Sequence, residues 1–93
     1  AAAEKCKHGI EEADTAYLDS LVKDLKINNY RYNDKPNRTK VGIVLEQLNP
    51  DAGYYLVKSD GESIDVYTYV NMLTAALQEQ AKEIQELREL ITN

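Results

Sequence analysis

The 93 residues carry 16 acidic side chains against 11 basic ones, a net charge of −5. No basic face is available to neutralise phosphates, which argues against nucleic acid or an anionic membrane as a partner. The single cysteine, Cys6, excludes an intrachain disulfide, and no apolar run approaches the roughly 18 residues needed to span a bilayer.

A chain this short buries a small core and gains from contacts with other chains. Residues 1–10 are charged and poorly patterned, and Ala1 to Ala3 followed by Glu4 and Lys5 has no apolar stretch of the kind a signal peptide carries, so the chain reads as a soluble protein. His8 is the only histidine and Cys6 the only thiol, so a zinc site lacks ligands, and no metal or cofactor is expected. As a thiol nucleophile with its base, Cys6 and His8 lack an orienting third group.

Glu11, Glu12 and Asp14 form an acidic run at the positive end of a predicted helix. From Asp14 to Leu25, the residues Ala16, Tyr17, Leu18, Leu21, Val22 and Leu25 recur with helical spacing, and Asp14 or Thr15 can cap the first turn. Ile27 to Tyr32 then reads as a strand with Asn28, Tyr30 and Tyr32 on one face, ending in a turn from Asn33 to Asn37. The β-branched run Val41 to Leu45 predicts a buried strand leading into Glu46, Gln47 and Leu48. Asn49 to Gly53 predicts a break, Tyr54 to Val57 another strand, Ser59 to Glu62 a tight turn, and Ser63 to Asp65 a third short strand.

From about Tyr67 a long helix is predicted. Val66, Leu73, Gln80 and Leu87 alternate with Val70, Leu77, Ile84 and Ile91 at spacings of three and four, the d and a positions of a coiled coil with one polar interruption at Gln80. Such a narrow stripe calls for copies of the same segment as partners. The heptads leave two strands and three strands open, and the buried amide mainly fixes register. Glu83 at g and Arg88 at the following e position could pair between parallel chains. Seven tyrosines with no Phe or Trp suit interfaces, with Tyr54, Tyr55, Tyr67 and Tyr69 as contact residues or as half-buried packing.

The order of these segments resembles a known family. Lys5-Cys6-Lys7-His8-Gly9-Ile10, the short helix, Ile27-Asn28-Asn29-Tyr30-Arg31-Tyr32, Val41-Gly42-Ile43-Val44-Leu45-Glu46-Gln47-Leu48, and Gly61 to Tyr67 running into the long helix are together similar to the C-terminal intramolecular chaperones. These self-cleaving serine peptidase domains end many phage tailspikes and tail fibres, including endosialidases, and occur in a membrane-tethered animal transcription factor. The resemblance covers essentially the whole chain. It implies an α+β fold in which a short helix and a small antiparallel β-layer precede a long C-terminal helix, the helices forming a parallel coiled coil in an intertwined homotrimer. It also implies three parts: a self-cleavage segment over 1–10, a compact α+β core over 11–65, and the coiled-coil helix over 66–93.

In that family a serine is followed five residues later by a lysine, with a basic residue two before the lysine and an isoleucine three after it. Lys7, Lys5 and Ile10 match the last three. The serine position is Ala2, and the bond to be cut joins Ala1 to Ala2. Gly9 stands where the family commonly has asparagine. Without a hydroxyl at residue 2 the chain is expected to be inactive, the serine having been replaced to trap the uncleaved state or the activity having been lost. The resemblance further implies that the partners are two other copies and the upstream fibrous part of the same precursor. It places the protein in the host cytoplasm during virion assembly, with release from the mature fibre by cleavage. Two other readings stand beside it: a permanent trimerisation domain in which Ala2 is native, and a coiled-coil adaptor that captures a foreign helix through Ile84 to Ile91.

Overall fold

The computed structural model describes residues 3–92. Asp14 starts the first helix, α1 (Thr15–Lys23), by accepting the Tyr17 amide on its carboxylate at 3.0 Å. Of the two caps the sequence allows, Asp14 and Thr15, the first is used. Leu21 is buried on its inner face, with Leu18, Val22 and Leu25 packed around.

The hairpin that follows pairs β1 (Asn28–Tyr32) with β2 (Lys35–Gly42) in antiparallel register, Asn28 opposite Gly42 and Tyr32 opposite Lys35, with an irregularity between Tyr30 and Tyr32. The turn is therefore Asn33-Asp34, and Lys35, Pro36 and Asn37, expected in the turn, begin β2. Pro36 is tolerated there because each strand of a two-stranded sheet keeps one edge free of ladder bonds. A Cβ at Gly42 would stand 3.2 Å from Cε1 of Tyr30, so the ring lies directly over a residue without a side chain.

Three expectations fail in the middle of the chain. The buried strand over Val41 to Leu45 does not form: β2 ends at Gly42, opposite the first residue of β1, so Ile43 onward has no strand to pair with. Leu45–Gln47 is a single 3-10 turn instead. Asn49 to Gly53 does not break the chain, and Tyr54 to Val57 is not a strand. Asn49 accepts the Asp51 amide at 2.8 Å and Pro50 occupies the first turn, which starts helix α2 (Pro50–Leu56). Ala52 and Leu56, four apart, go fully inward while Tyr54 and Tyr55 stay outside, a helical rather than an alternating pattern. The third strand is reduced to one bridge, Val57 with Ile64. The tight turn before it does form: the Asp60 carboxylate accepts the amides of Glu62 and Ser63 at 2.8 and 3.1 Å, and Gly61 supplies a φ of 71°. The Glu62 amide foremost, and then the Ser63 hydroxyl, which donates to the same carboxylate at 2.7 Å, hold the Asp60 carboxyl below its ordinary range.

Asp65 accepts the Thr68 amide at 3.0 Å and opens the last helix, α3 (Val66–Thr92), close to the predicted bounds. At 1.5 Å per residue its 27 residues extend about 40 Å. The core is small: Leu21, Ala52, Leu56 and Met72 meet where α1, α2 and the first half of α3 converge, with Leu48, Ile64 and Tyr69 at its margin. The radius of gyration is 16.9 Å, against about 12 Å for a compact domain of this length. Helix α3, which runs on beyond the core, and the hairpin, whose contacts are chiefly internal, both contribute to the difference.

Leu56 is the largest fully buried side chain. Leu56→Ala should lower stability by about 2–5 kcal/mol, and Asn49→Ala by about 1 kcal/mol through loss of the α2 cap. Urea unfolding at one fixed protein concentration checks both, and equal effects would contradict this core.

Candidate functional site: the uncovered seam and the N-terminal segment

Helix α3 has two different apolar faces. Met72, Ala75, Ala76 and Glu79 are buried on the face turned to α1 and α2. At about 100° per residue, Val66, Val70, Leu73 and Leu77 lie roughly a third of a turn away. Together with Ile84, Leu87 and Ile91 they keep between 41 and 84 % of their surface exposed. The heptad stripe is thus not the face the chain uses to build its own core. A polypeptide of 10.5 kDa exposing 7831 Å² stands well above the about 5,400 Å² of a compact monomer of that mass. The excess, roughly 2,400 Å², is of the order that obligate assemblies bury.

Gln80 sits between the two faces and is half-buried. Its side-chain amide donates to both carboxylate oxygens of Asp19 on α1, at 3.0 and 3.1 Å. The Lys23 ammonium lies 2.9 Å from the same carboxylate. One turn away, the Thr15 hydroxyl donates to Glu79 at 2.9 Å. The α1–α3 joint is therefore a polar clasp set into an apolar contact, and the amide that interrupts the heptads has a partner in its own chain. The bond from Lys23, and then the bond from Gln80, hold the Asp19 carboxyl below its ordinary range. The Lys23 ammonium is pushed up chiefly by Asp19, with Glu83 and Glu79 adding to it. Asp19 is 3 % exposed, and nothing in the helical spacing singled it out. The one signal was its place four residues before Lys23 on a face otherwise holding Leu residues.

The N-terminal segment is a 3-10 turn at Glu4–Cys6, after which the Lys7 amide donates to the Glu4 carbonyl at 3.0 Å. The side chains of Lys5, Cys6, Lys7, His8 and Ile10 are all exposed. Ala1 and Ala2, the proposed cleavage positions, lie outside the described residues. Gly9 has a φ of 63°, the left-handed region that glycine and, next to it, asparagine adopt most readily. No cluster of three or more His, Cys, Asp or Glu side chains is placed to hold a metal among the described residues. No helix among them is long and apolar enough to cross a membrane.

Of the four tyrosines expected at contacts, Tyr54, Tyr55 and Tyr67 are exposed and Tyr69 is half-buried. Tyr69 closes an open groove of about 550 Å³ at the base of the hairpin, shared with Tyr30, Tyr32, Ile43 and Ile64. Tyr30 and Tyr32 meet edge to face there, with ring centres 5.3 Å apart. Set against known proteins, the chain matches no family model, no curated sequence and no solved structure.

The clasp has a signed pH dependence. A carboxyl whose folded-state pKa is lowered contributes stability above its unfolded value, and that contribution is lost as pH falls through the lowered folded value. Asp19→Asn should therefore lose stability at neutral pH and show a flatter acid limb below the ordinary value of 3.8. Acid titration of unfolding by circular dichroism checks this, and identical acid limbs in both proteins would contradict it.

Proposed function

We propose that this chain is a homotrimeric intramolecular chaperone. It brings three copies of an upstream fibrous protein into register, and its active form then severs itself at the N-terminal segment. The observation that carries the reading is the heptad seam of a 27-residue helix, whose apolar stripe stays 41 to 84 % exposed among the described residues. The sequence resemblance supplies the number three and the peptidase chemistry. The left-handed Gly9 fits a position where the family commonly has asparagine, since both residues tolerate that backbone.

The physics of such a device is coherent. A triple-stranded β-fibre pairs residues across chains and nucleates slowly, because loop-closure entropy is lost before non-local contacts form. A small module that joins three C-termini in fixed register lowers that barrier. Once the module is removed, the fibre persists because its unfolding is slow. This takes place in the host cytoplasm during virion assembly, and the partners are the other copies and the upstream part of the precursor.

In the active form, a serine hydroxyl at residue 2 adds to the carbonyl carbon of residue 1. Lys7 in its amine form takes the hydroxyl proton, which passes on to the departing nitrogen, and water then hydrolyses the ester. Lys7 is exposed in the single chain. A lysine serves as a base near neutral pH when burial disfavours its charge, so this reading requires a neighbouring copy to cover it. Cleavage is thereby coupled to assembly. Ala2 has no hydroxyl, so this chain binds and registers without cutting. That same residue favours a second reading, a permanent trimerisation domain with no peptidase chemistry.

Restoring the hydroxyl separates the two. In a precursor extended by upstream residues, Ala2→Ser should yield a C-terminal fragment beginning at residue 2, detected by mass spectrometry, with no fragment from the Ala2 protein. The fragment should form only at protein concentrations that support trimers. Intact Ser-bearing chains in assembled trimers would sink the peptidase reading and leave the permanent domain. Cleavage of isolated monomers would sink the coupling.

A further inference from the structure

The hairpin of β1 and β2 is left out of the helical core. The three helices pack on one another, while the contacts of the strands are chiefly with each other. Every residue of β2 from Lys35 to Val41 is exposed, on both faces of the sheet. Each strand also has one outer edge with no ladder partner. A two-stranded hairpin whose only half-buried residues are Asn28, Tyr30 and Gly42 on the described strands is marginal by itself in water, and an open edge is a surface for pairing.

Its charge is opposite to that of the rest of the molecule. Arg31, Lys35, Arg38 and Lys40 stand against Asp34 alone, a net +3 over Asn28 to Gly42, so the chain's −5 leaves −8 on everything else. The eight residues of β2 extend about 26 Å, more than the 22 Å thickness of the molecule. An arm of that length reaches across the flank of a neighbouring molecule.

We propose that the hairpin is a docking arm that lies against the acidic flank of a second copy of this chain. The complementary surface is an open cleft of about 420 Å³ at the start of α1, lined by Glu11, Glu12, Asp14, Tyr17 and Tyr55 among others. Carboxylates there meet the Arg and Lys heads, and phenol faces accept a guanidinium by cation–π attraction. The charges that hold the arm are separate from the apolar seam on α3. The arm adds a salt-sensitive contact between copies to a salt-insensitive one. It also places β1 and β2 of one copy beside the N-terminal segment of another, since Glu11 and Glu12 directly follow residues 1–10. The proposal rests on the assembly of copies described above.

Subunit exchange tests it, followed by energy transfer between copies labelled at the exposed Cys6. Arg38→Glu with Lys40→Glu should exchange about ten-fold faster than the unaltered chain, and so should Glu11→Lys with Glu12→Lys. The chain carrying both reversed pairs should return to slow exchange. Raising salt from roughly 0.05 M to 0.5 M should speed exchange of the unaltered chain and not of either single set. No transfer between unaltered copies would overturn the assembly itself and the arm with it. Transfer with unchanged exchange in both variants would overturn the arm alone. Faster exchange without recovery in the combined chain would overturn its seat on this flank.

Discussion

The packing of α1 against one side of α3 decides what the rest of the molecule can do. It uses Met72, Ala75 and Ala76 together with the Asp19–Gln80 and Thr15–Glu79 bonds, and in doing so it turns the heptad stripe outward. Had α1 covered Leu73 and Leu77 instead, the chain would have a fuller core of its own and little left to offer another copy. The polar clasp also fixes the rotation of α3. An apolar contact alone can slide or roll, whereas a buried carboxylate has a cost for losing its donors. Orientation of the seam is thus held by hydrogen bonds, and its exposed surface is made of Val, Leu and Ile side chains.

The two kinds of contact divide the labour along the length of α3. Up to about Gln80 the helix belongs to its own chain as much as to any partner. From Ile84 to Ile91 the apolar positions keep half or more of their surface exposed among the described residues, the kind of run that marks interaction surfaces. The small core of Leu21, Ala52, Leu56 and Met72 gives local shape and contributes modest stability. If copies assemble through the seam as proposed, stability and assembly are linked, as they are in obligate oligomers. Under the proposed registering role that linkage would be useful, because a chain that has not met its partners has little to hold it in a wrong arrangement.

Much of this was legible from residues alone, and the parts that were not share a cause. Both long-period signals, the α1 pattern and the α3 heptads, led to helices within a residue or two of their true ends, because each is fixed by local spacing and by a cap. Asp14 and Asp65 perform as caps in the structure. The stretch from Val41 to Val57 was misread because its apolar runs are four or five residues long, too short for period to tell strand from helix. Tyr-Tyr-Leu-Val has strong strand propensity, yet Asn49-Pro50 supplied a better helix start and Ala52 with Leu56 a better buried face. The Asn28–Gly42 pairing, which ends the hairpin before Ile43, depends on register between two segments and is invisible to either alone. The α1–α3 clasp is invisible to local spacing for the same reason: Asp19 and Gln80 are 61 residues apart. Lys7 comes from the family resemblance, and its side chain is exposed in the single chain.

The central claim is that the α3 seam is a surface for copies of this chain, three at a time. Sedimentation equilibrium of the chain by itself, at micromolar concentration and above, measures it without any label or substitution. The account predicts a single species of three times the 10.5 kDa chain mass, persisting on dilution. A species of one chain mass across that range, still helical over α3, would contradict it.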